Sequence, residues 1–289
     1  MKVCLACDAR FDADSWVCPA CSRAPVENGF VMFAPELAAS IEHYPSEAVW
    51  ELAPREELYF WFTARNALIS ALVSQEFPDA RNLLEVGCGM GGVLARIHAE
   101  HPYISLTGAD LLPDALRVAR ERLPGATFIQ ADIRHVPYED EFDVVCALDV
   151  IEHVDEDDVA LGEVARAVKP GGGVVVAVPQ HMWLWGAWDE LMQHRRRYSR
   201  RSLLELVDSA GLECVRVTSS FSFVLPLVYL SRLRSRTLSD GSDPYDALRI
   251  PPTVNRALGT VMRAERALIT RGVSFPAGSS LTVVARKRH

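Results

Sequence analysis

The stretch Leu83-Leu84-Glu85-Val86-Gly87-Cys88-Gly89-Met90-Gly91-Gly92 decides the fold of this chain. Its apolar start is typical of a β-strand that is buried on both faces. Four glycines in six positions follow Glu85, and a helical pattern of apolar residues begins at Val93. Glycine lets the backbone turn sharply and approach a ligand, and a helix N-terminus offers unpaired N–H groups. The stretch therefore predicts a strand, a glycine-rich turn and a helix that together hold a ligand.

Two more acids follow the next two predicted strands. Asp110 ends the predicted strand 105–110, and Asp132 follows the predicted strand 127–130. Strands and helices alternate from residue 81 onward, which is typical of a parallel sheet with helices on both faces. Glu85, Asp110 and Asp132 should then lie on one edge of the sheet, where open α/β folds bind ligands. The glycines alone also fit the dinucleotide pattern G-x-G-x-x-G, so the turn does not name its ligand.

Five segments, taken together and in order, resemble the successive motifs of class I S-adenosylmethionine-dependent methyltransferases. They are residues 85–91, 109–111, 130–133, 149–154 and 169–172. The resemblance covers roughly residues 80–180. It implies an α/β, Rossmann-like sheet of seven strands with helices on both faces. The last strand, predicted at 281–285, would run antiparallel to its neighbours.

The resemblance also implies where S-adenosylmethionine would bind. The glycine turn would contact its methionine part, Asp110 its ribose hydroxyls and Asp132 its adenine amino group. A helix over the pocket could bring the guanidinium of Arg65 to the methionine carboxylate, because arginine binds carboxylates through two parallel hydrogen bonds. The full set of expected cofactor residues is Arg65, Glu85, Gly87, Cys88, Gly89, Asp110, Leu111, Asp132, Ile133 and Leu148.

Two C-x-x-C pairs open the chain. Cys4, Cys7, Cys18 and Cys21 can supply four thiolates from two tight turns, which suits a tetrahedral zinc ion. Such a short segment cannot fold by burial alone, so zinc would supply its folding energy. The site would be structural, since all four positions around the metal are filled. Disulfides or a redox pair are the alternatives, and a reducing compartment disfavours disulfides.

Composition and length place limits on the function. The 289 residues allow one large domain and a small appendage, and a net charge of -8 argues against a nucleic-acid surface. We expect a cysteine segment at 1–30, a linker at 31–54 and a methyltransferase domain at 55–289, with acceptor-side insertions at 180–200 and 220–272. No apolar run reaches the length of a membrane span, and no secretory signal is expected, so we predict a cytoplasmic protein.

Two places are candidates for the acceptor side. His153 follows the predicted fourth strand and is the first candidate for a general base, because an ordinary histidine titrates near neutrality. It could equally cap and order its loop. The second place is the segment 179–198, which follows the fifth strand and is rich in tryptophan and arginine. Its candidates are His181 as a base and Trp183, Trp185, His194, Arg195 and Tyr198 as acceptor-binding residues. The alternative there is a solvated basic patch beside packed tryptophans.

The sequence thus favours methyl transfer to a small or medium-sized metabolite, which the arginines suggest is anionic. Three alternatives stay open at this point. Ribosomal RNA base methylation would also suit a zinc module, an NAD-dependent oxidoreductase would suit the glycine pattern, and a non-catalytic zinc-ribbon module would use the cysteine segment to bind a partner. Neither the oligomeric state nor the acceptor atom can be read from the sequence.

Overall fold

The structure of the protein is a computed structural model that describes residues 1–40, 56–237 and 250–288. The predicted linker at 31–54 and the loop predicted at 237–253 lie partly outside the described residues. So does the first residue of the helix predicted at 55–77; within the described part this helix spans Phe60–Glu76.

The described strands form one large mixed sheet and one small hairpin. In chain order they are β1 Lys2–Val3, β2 Arg10–Phe11, β3 Val26–Glu27, β4 Val31–Met32, β5 Asn82–Val86, β6 Ser105–Asp110, β7 Thr127–Gln130, β8 Phe142–Leu148, β9 Val168–Pro179, β10 Leu212–Ser220 and β11 Ser280–Lys287. The hairpin is β1–β2, and the large sheet has the order β10-β11-β9-β8-β5-β6-β7-β4-β3. β5 therefore lies at the centre of the sheet.

Helices connect the strands and cover both faces of the sheet. They are α1 Pro35–Ser40, α2 Phe60–Glu76, α3 Gly92–Glu100, α4 Pro113–Arg122, α5 Asp157–Ala167, α6 Ala187–Leu191, α7 Arg200–Ser209, α8 Leu225–Thr237 and α9 Pro252–Thr270. α8 was not predicted as a helix, because Ser222 and Pro226 interrupt its apolar run. No helix among the described residues is long and apolar enough to cross a membrane.

The central strands are buried on both faces, as their unbroken apolar sequence predicts. Leu83 and Leu84 on β5 point to opposite faces, and each joins a different buried cluster of the core. Val144 and Val145 on β8 do the same. A sheet sandwiched in this way is held by apolar contacts on both sides, which leaves its carboxyl edge free to carry polar groups.

The order and direction of the strands agree with the expected fold. β5, β6, β7, β8 and β9 are parallel to their neighbours in this set, and β11 runs antiparallel between β9 and β10. The α/β, Rossmann-like class with one antiparallel strand near the C-terminus is confirmed. β9 is longer than the predicted 174–178 because Val168 pairs with Phe142 and pairing resumes at Gly173; the Lys-Pro-Gly-Gly segment lies in the irregularity between these pairs.

The N-terminal segment adds two strands that the sequence did not predict. β4 pairs in parallel with β7, and β3 pairs with β4. Residues 26–32 therefore extend the large sheet at its edge. The expected boundary after residue 30 stays a prediction, but part of the N-terminal segment is joined to the main sheet by backbone hydrogen bonds.

The cysteine hairpin β1–β2 packs against the loop that leads into β8. The N–H of Val3 donates to the carbonyl oxygen of Pro137 at 3.0 Å. The Trp16 ring meets Phe33 and Tyr138 edge-on, with centroids 4.8 and 5.5 Å apart. This loop precedes β8, so the hairpin sits at the amino end of that strand, away from the sheet edge that carries the acids.

Candidate functional site

A cavity of about 830 Å³ opens at the carboxyl edge of the sheet. Its floor is formed by the ends of β5, β6, β7, β8 and β9 with their following turns. α2 and α8 cover it, and the segment 188–197 closes one side. Every expected cofactor residue lines this cavity, as do His153, His194 and Arg195. The roles of these residues stay predictions, but the fold brings them together.

The glycine turn is built for close approach. Gly87, Gly89 and Gly91 have φ angles of 75°, 52° and 75°, in the region that L-residues rarely adopt. A Cβ on Gly87 would lie 2.6 Å from a methyl carbon of Val150. The N–H groups of Gly87 and Cys88 donate to the carbonyl oxygen of Ala109. These bonds tie the turn to the end of β6, and the Val150 side chain packs closely against Gly87.

Asp110 stands next to this turn and is already partly satisfied. Its carboxylate accepts from the N–H of Gly89 at 2.7 Å and from the N–H of Leu112 at 2.9 Å. Burial raises the pKa of Asp110, and these backbone donors counteract the shift. A carboxylate has about four lone-pair positions, so two further donors can still be accepted.

Glu85 is buried and less well satisfied. It is 2% exposed, and its Oε2 has no hydrogen-bond partner among the described residues. Burial raises the pKa of Glu85 to about 8, and the guanidinium of Arg65 partly offsets this. Glu85 lines the cavity, so a positively charged ligand group would find an acceptor close by.

Asp132 has a partner that the sequence did not suggest. The Arg134 guanidinium donates to both carboxylate oxygens of Asp132, at 2.7 to 3.1 Å, and the Arg134 N–H adds a further bond at 3.0 Å. These bonds hold the pKa of Asp132 below its usual value against the effect of burial. Little acceptor capacity remains for a ligand.

Arg65 lies on α2 and reaches into the cavity. Its Nη1 donates to Asp149 Oδ2 at 2.6 Å, and its guanidinium lies over the Trp61 ring, 5.2 Å from the ring centroid. Asp149 directly follows β8 and has a φ of 53°. The pair therefore connects the covering helix to the floor, and a ligand carboxylate would have to share Arg65 with Asp149.

The opposite side of the cavity holds a compact polar cluster. Glu152, His153 and His194 each offer one atom that can bind a metal, and these three atoms lie within 4.8 Å of one another. The two imidazole rings meet edge-on at 4.8 Å. His194 Nδ1 lies 2.9 Å from Asp189 Oδ1, and the N–H of Arg195 donates to the Glu152 carbonyl oxygen at 2.7 Å. The segment after β9 is thus fixed against the turn after β8.

Burial is the main cause of the shifted pKa values of Glu152 and His153 in this cluster. Glu152 is fully buried, and neither of its carboxylate oxygens has a partner among the described residues. Burial, and next the nearby Asp149 charge, raise the pKa of Glu152 well above its usual value. Burial and the neighbouring His194 lower the pKa of His153 to about 4. His153 is therefore neutral at pH 7, with a lone pair available, but it is a weaker base than an ordinary histidine.

The basic run 195–197 is used mostly inside the protein. Arg197 donates to both carboxylate oxygens of buried Asp189, at 2.7 and 3.1 Å. Arg196 pairs with Asp157 at 2.9 Å. Arg195 is about half exposed and lies 3.7 Å from Asp155. Only Arg195 of these three therefore offers a largely solvated cation to the cavity.

Four predicted acceptor residues do not line the cavity. Trp183 is about half exposed, and its ring stacks on His181 with centroids 4.9 Å apart. Tyr198 is buried, and its hydroxyl donates to Asp157 at 2.7 Å. Trp185 also lies outside the lining. His181, Trp183, Trp185 and Tyr198 thus lie outside the cavity lining, whereas Trp188 of the same segment belongs to it, and the acceptor-binding roles stay predictions.

The four N-terminal cysteines come together as predicted. The Cys4 and Cys21 sulfurs are 3.7 Å apart, as are those of Cys7 and Cys18, and all four sulfurs lie within 4.8 Å of one another. Zinc–sulfur bonds of about 2.3 Å in a tetrahedron place sulfurs about 3.8 Å apart. No disulfide joins them.

Both C-x-x-C turns have the same backbone form. The N–H of Asp8 donates to the Cys4 carbonyl oxygen at 2.8 Å, and the N–H of Ser22 donates to that of Cys18 at 2.8 Å. Asp8 and Ser22 have φ angles of 57° and 59°. Two equal turns that each present two thiols to one point are suited to a tetrahedral metal.

Comparison with known proteins agrees with this geometry. Residues 84–176 match the model of the family described as "Methyltransferase domain". This part of the chain is similar to a methyltransferase domain. The match runs from β5, through the glycine turn, to β9, so it includes the strand ends that form the floor of the cavity. It does not include the cysteine segment or the segment 188–197.

Two curated relatives each match about a third of the chain. Trans-aconitate 2-methyltransferase of Rhodopseudomonas palustris (strain BisB18) is 36% identical over 104 residues, which are 36% of this chain and 41% of that protein. Fatty-acid O-methyltransferase of Mycolicibacterium smegmatis (strain ATCC 700084 / mc(2)155) is 33% identical over 108 residues, or 36% of this chain and 39% of that protein. The chain thus spans about two fifths of the length of these relatives.

A solved structure extends the likeness of the fold beyond the matched domain. Haemonchus contortus phosphoethanolamine N-methyltransferase 2, in complex with phosphomonomethylethanolamine and S-adenosylhomocysteine, superposes with a TM-score of 0.57. The match covers 90% of this chain and 62% of that one at 17% sequence identity. At this identity the likeness shows the fold alone.

Sequence reasoning overlooked several residues of the cavity. Arg134 binds Asp132, and Asp149 binds Arg65. The sequence assigns no role to Glu152, and it places Asp189 in the acceptor segment 179–198 without a partner. The chain did contain one cue: Glu152 and His153 are adjacent, and Asp189 precedes His194 by five residues. The contact between these two segments, however, arises only in the fold.

Proposed function

We propose that the protein transfers a methyl group from S-adenosylmethionine to a small or medium-sized metabolite that bears an anionic group. The observation that carries this proposal is that one cavity joins two unlike sets of residues. One set is the glycine turn with Glu85 and Asp110. The other is the polar cluster around Glu152 and His194.

The residues near the glycine turn fit the cofactor. Asp110 keeps acceptor capacity for two ribose hydroxyls after its bonds to the backbone. Glu85 offers an unpartnered oxygen to a positively charged group, and the glycine turn permits close approach. Asp132, held by Arg134, has room for little more than one donor such as the adenine amino group. When bound, the cofactor supplies a methyl group made electrophilic by its sulfonium.

The opposite set of residues fits the acceptor. Arg195 is the largely solvated cation of the basic run and lines the cavity, so it can attract a carboxylate or phosphate. Both curated relatives described above are named for organic acids, which supports an anionic acceptor. Holding the acceptor in line with the methyl group would itself contribute much of the rate. His153 is close enough to the cluster to order the acceptor, and its role as general base stays a prediction.

We also propose that the four N-terminal cysteines bind a structural zinc ion. The sulfur spacing of 3.7 Å and the repeated turns support this. Free thiols suit a reducing compartment, so a cytoplasmic location remains our proposal.

The proposed activity is tested by cofactor binding. Isothermal titration calorimetry should show that wild type binds S-adenosylhomocysteine. Asp110→Asn removes the charge that hydroxyl donors would meet, which is worth roughly 1.5–3 kcal/mol, so affinity should fall about ten- to a hundredfold. Asp114→Asn is the matched control, because Asp114 lies on α4 and pairs with Arg117 outside the cavity lining. If the protein bound NADH but neither S-adenosylmethionine nor S-adenosylhomocysteine, the proposal would be overturned.

A further inference from the structure

The cluster of Glu152, His153 and His194 has more polar groups than methyl transfer requires. Their donor atoms lie within 4.8 Å of one another on the wall of the cavity. Glu152 is fully buried, and both carboxylate oxygens lack a partner among the described residues. A carboxylate in this state is costly unless a proton or a cation accompanies it. The surroundings of the cluster decide which cation fits.

Two arginines near Glu152 are paired with other acids. Arg65 is paired with Asp149 at 2.6 Å, and Arg197 is paired with Asp189 through two hydrogen bonds. The Arg195 side chain is 57% exposed and leans toward Asp155. Arg232 also lines the cavity, on the side of Asp189. Among the described residues, Glu152 itself has neither a hydrogen-bond partner nor an ion pair at its carboxyl oxygens.

The donor set is that of a metal ion. Two imidazoles and one carboxylate hold zinc in catalytic sites with an open position, and the same set holds other first-row divalent ions. Bonds of about 2.0–2.2 Å place the ligand atoms of such an ion about 3–4.4 Å apart, so small side-chain rotations bring this cluster into range. An organic ammonium group needs acceptors but has no use for two imidazoles at the same point.

The residues behind the histidines are placed as metal sites require. The Asp189 carboxylate lies 2.9 Å from His194 Nδ1, which would leave Nε2 of His194 free to bind the ion. The His153 ring meets the His194 ring edge-on, with centroids 4.8 Å apart. Carboxylate contacts such as that of Asp189 fix the tautomer and orientation of ligand imidazoles. Asp189 itself is fully buried and held by Arg197, so its position is rigid.

We propose that Glu152, His153 and His194 bind a divalent transition-metal ion whose open positions face the cavity. The ion would hold an oxygen anion of the acceptor; that part rests on the proposed methyl transfer. A carboxylate or an ionised hydroxyl is then the chemical class that this end of the cavity selects.

The test uses Co²⁺ as the probe, added to the full-length protein as purified. Co²⁺ bound by nitrogen and oxygen lacks the strong thiolate-to-metal absorption that would mark the N-terminal cysteines, so the two sites are distinguished by their spectra. We expect about one equivalent of Co²⁺ without thiolate absorption. Glu152→Gln and His194→Asn should each weaken that binding by at least about a hundredfold. Asn can still donate to Asp189 from the Nδ1 position, so the second variant keeps the buried contact.

The matched control is Glu190→Gln, because Glu190 is an exposed glutamate on the same segment. It should bind Co²⁺ as wild type does. Circular dichroism on each variant checks that the fold is intact. Co²⁺ binding weaker than about millimolar, or equal binding in wild type, Glu152→Gln and His194→Asn, would overturn the proposal. S-adenosylhomocysteine calorimetry on the same samples separates this result from the methyl-transfer proposal, since either ligand can bind without the other.

Discussion

In the half of the cavity around the glycine turn, the polar groups stand at the ends of strands. There the backbone satisfies Asp110 before any ligand arrives, and Arg134 satisfies Asp132. In the half around the cluster of Glu152, His153 and His194, the groups come from two loops that meet after β8 and β9. There Glu152 is buried with both oxygens unpartnered. In the first half most polar groups have hydrogen-bond partners without a ligand, whereas the second half keeps a buried carboxyl group, Glu152, without one among the described residues.

This difference has an energetic meaning. A buried polar group without a partner costs about 1–3 kcal/mol, and more when it is charged. The half around the glycine turn avoids most of this cost, except at Glu85 Oε2. The other half retains this cost at both oxygens of Glu152, where burial raises the pKa and favours the neutral acid. A bound cation would favour the ionised form of Glu152 instead. Ligand binding should therefore be most sensitive to changes of shape in the first half and to changes of charge in the second.

The largest effect on cofactor affinity should come from the shape of the glycine turn. Gly87→Ala puts a Cβ 2.6 Å from Val150 at a φ of 75°. A left-handed conformation costs about 1–2 kcal/mol for a residue with a Cβ, and overpacking costs about 1–3 kcal/mol. We expect S-adenosylhomocysteine affinity, measured by calorimetry, to fall about a hundredfold.

Gly125→Ala is the control for this change. A Cβ on Gly125 would meet no heavy atom within 4 Å. The control should bind as wild type does, and both variants should keep the circular dichroism spectrum of wild type. If Gly87→Ala bound the ligand normally, the close-approach role of the turn would be wrong.

A smaller effect should follow from the one incomplete acid of the first half. Burial raises the pKa of Glu85 to about 8, so the folded, ligand-free protein holds this proton at neutral pH. If a cationic ligand group meets Glu85, it favours the ionised form, and binding releases the proton. Affinity should then rise about fivefold from pH 7 to pH 8, following the ionised fraction of a group with a pKa of about 8.

The same shift gives a sign for stability. The pKa of Glu85 is raised on folding, so its contribution to stability is fully present below its unfolded pKa and is lost as pH rises through about 8. Thermal unfolding without ligand should reflect this loss in wild type. Glu85→Gln cannot titrate, so both the proton release and this part of the stability profile should disappear. An unchanged pH dependence of affinity in Glu85→Gln would assign the effect to another group.

The two halves also differ in how far the sequence predicted them. Glu85, Asp110 and Asp132 could be placed together because parallel strands end at one edge, and this follows from the alternation of strands and helices. The partner of Asp132 was missed because an arginine two residues away reads as a loop residue. Arg65 was placed in the cavity correctly, but its pairing with Asp149 depends on how α2 lies over β8.

In the second half, residue type alone did not indicate which side chains line the cavity. Of the three tryptophans in the segment after β9, Trp188 lines the cavity, and Trp183 and Trp185 do not. The arginine run suggested anion binding, but Arg197 serves the buried Asp189 and Arg196 serves Asp157. Residue type does not reveal which way a loop turns its side chains. The two loops meet through the N–H of Arg195, which donates to the Glu152 carbonyl oxygen, and through the contact between the His153 and His194 rings.

Mutations in the cysteine segment should have the smallest effect on ligand binding in the cavity, because this segment belongs to neither half. Cys18→Ser should lose the zinc that we expect at about one per chain by elemental analysis, because three thiolates bind it more weakly than four. The hairpin β1–β2 should loosen, and limited proteolysis should detect this within residues 1–25. The hairpin contacts the loop before β8, at the amino end of that strand, and residues 1–25 do not line the cavity. S-adenosylhomocysteine affinity should therefore stay within about twofold of wild type, which is within about 0.4 kcal/mol.

Cys214→Ser, which changes an exposed thiol on β10, is the control for loss of a thiol alone. If Cys18→Ser weakened ligand binding as strongly as Gly87→Ala, the hairpin would have to stabilise the sheet through β3 and β4, and the two ends of the sheet would be coupled.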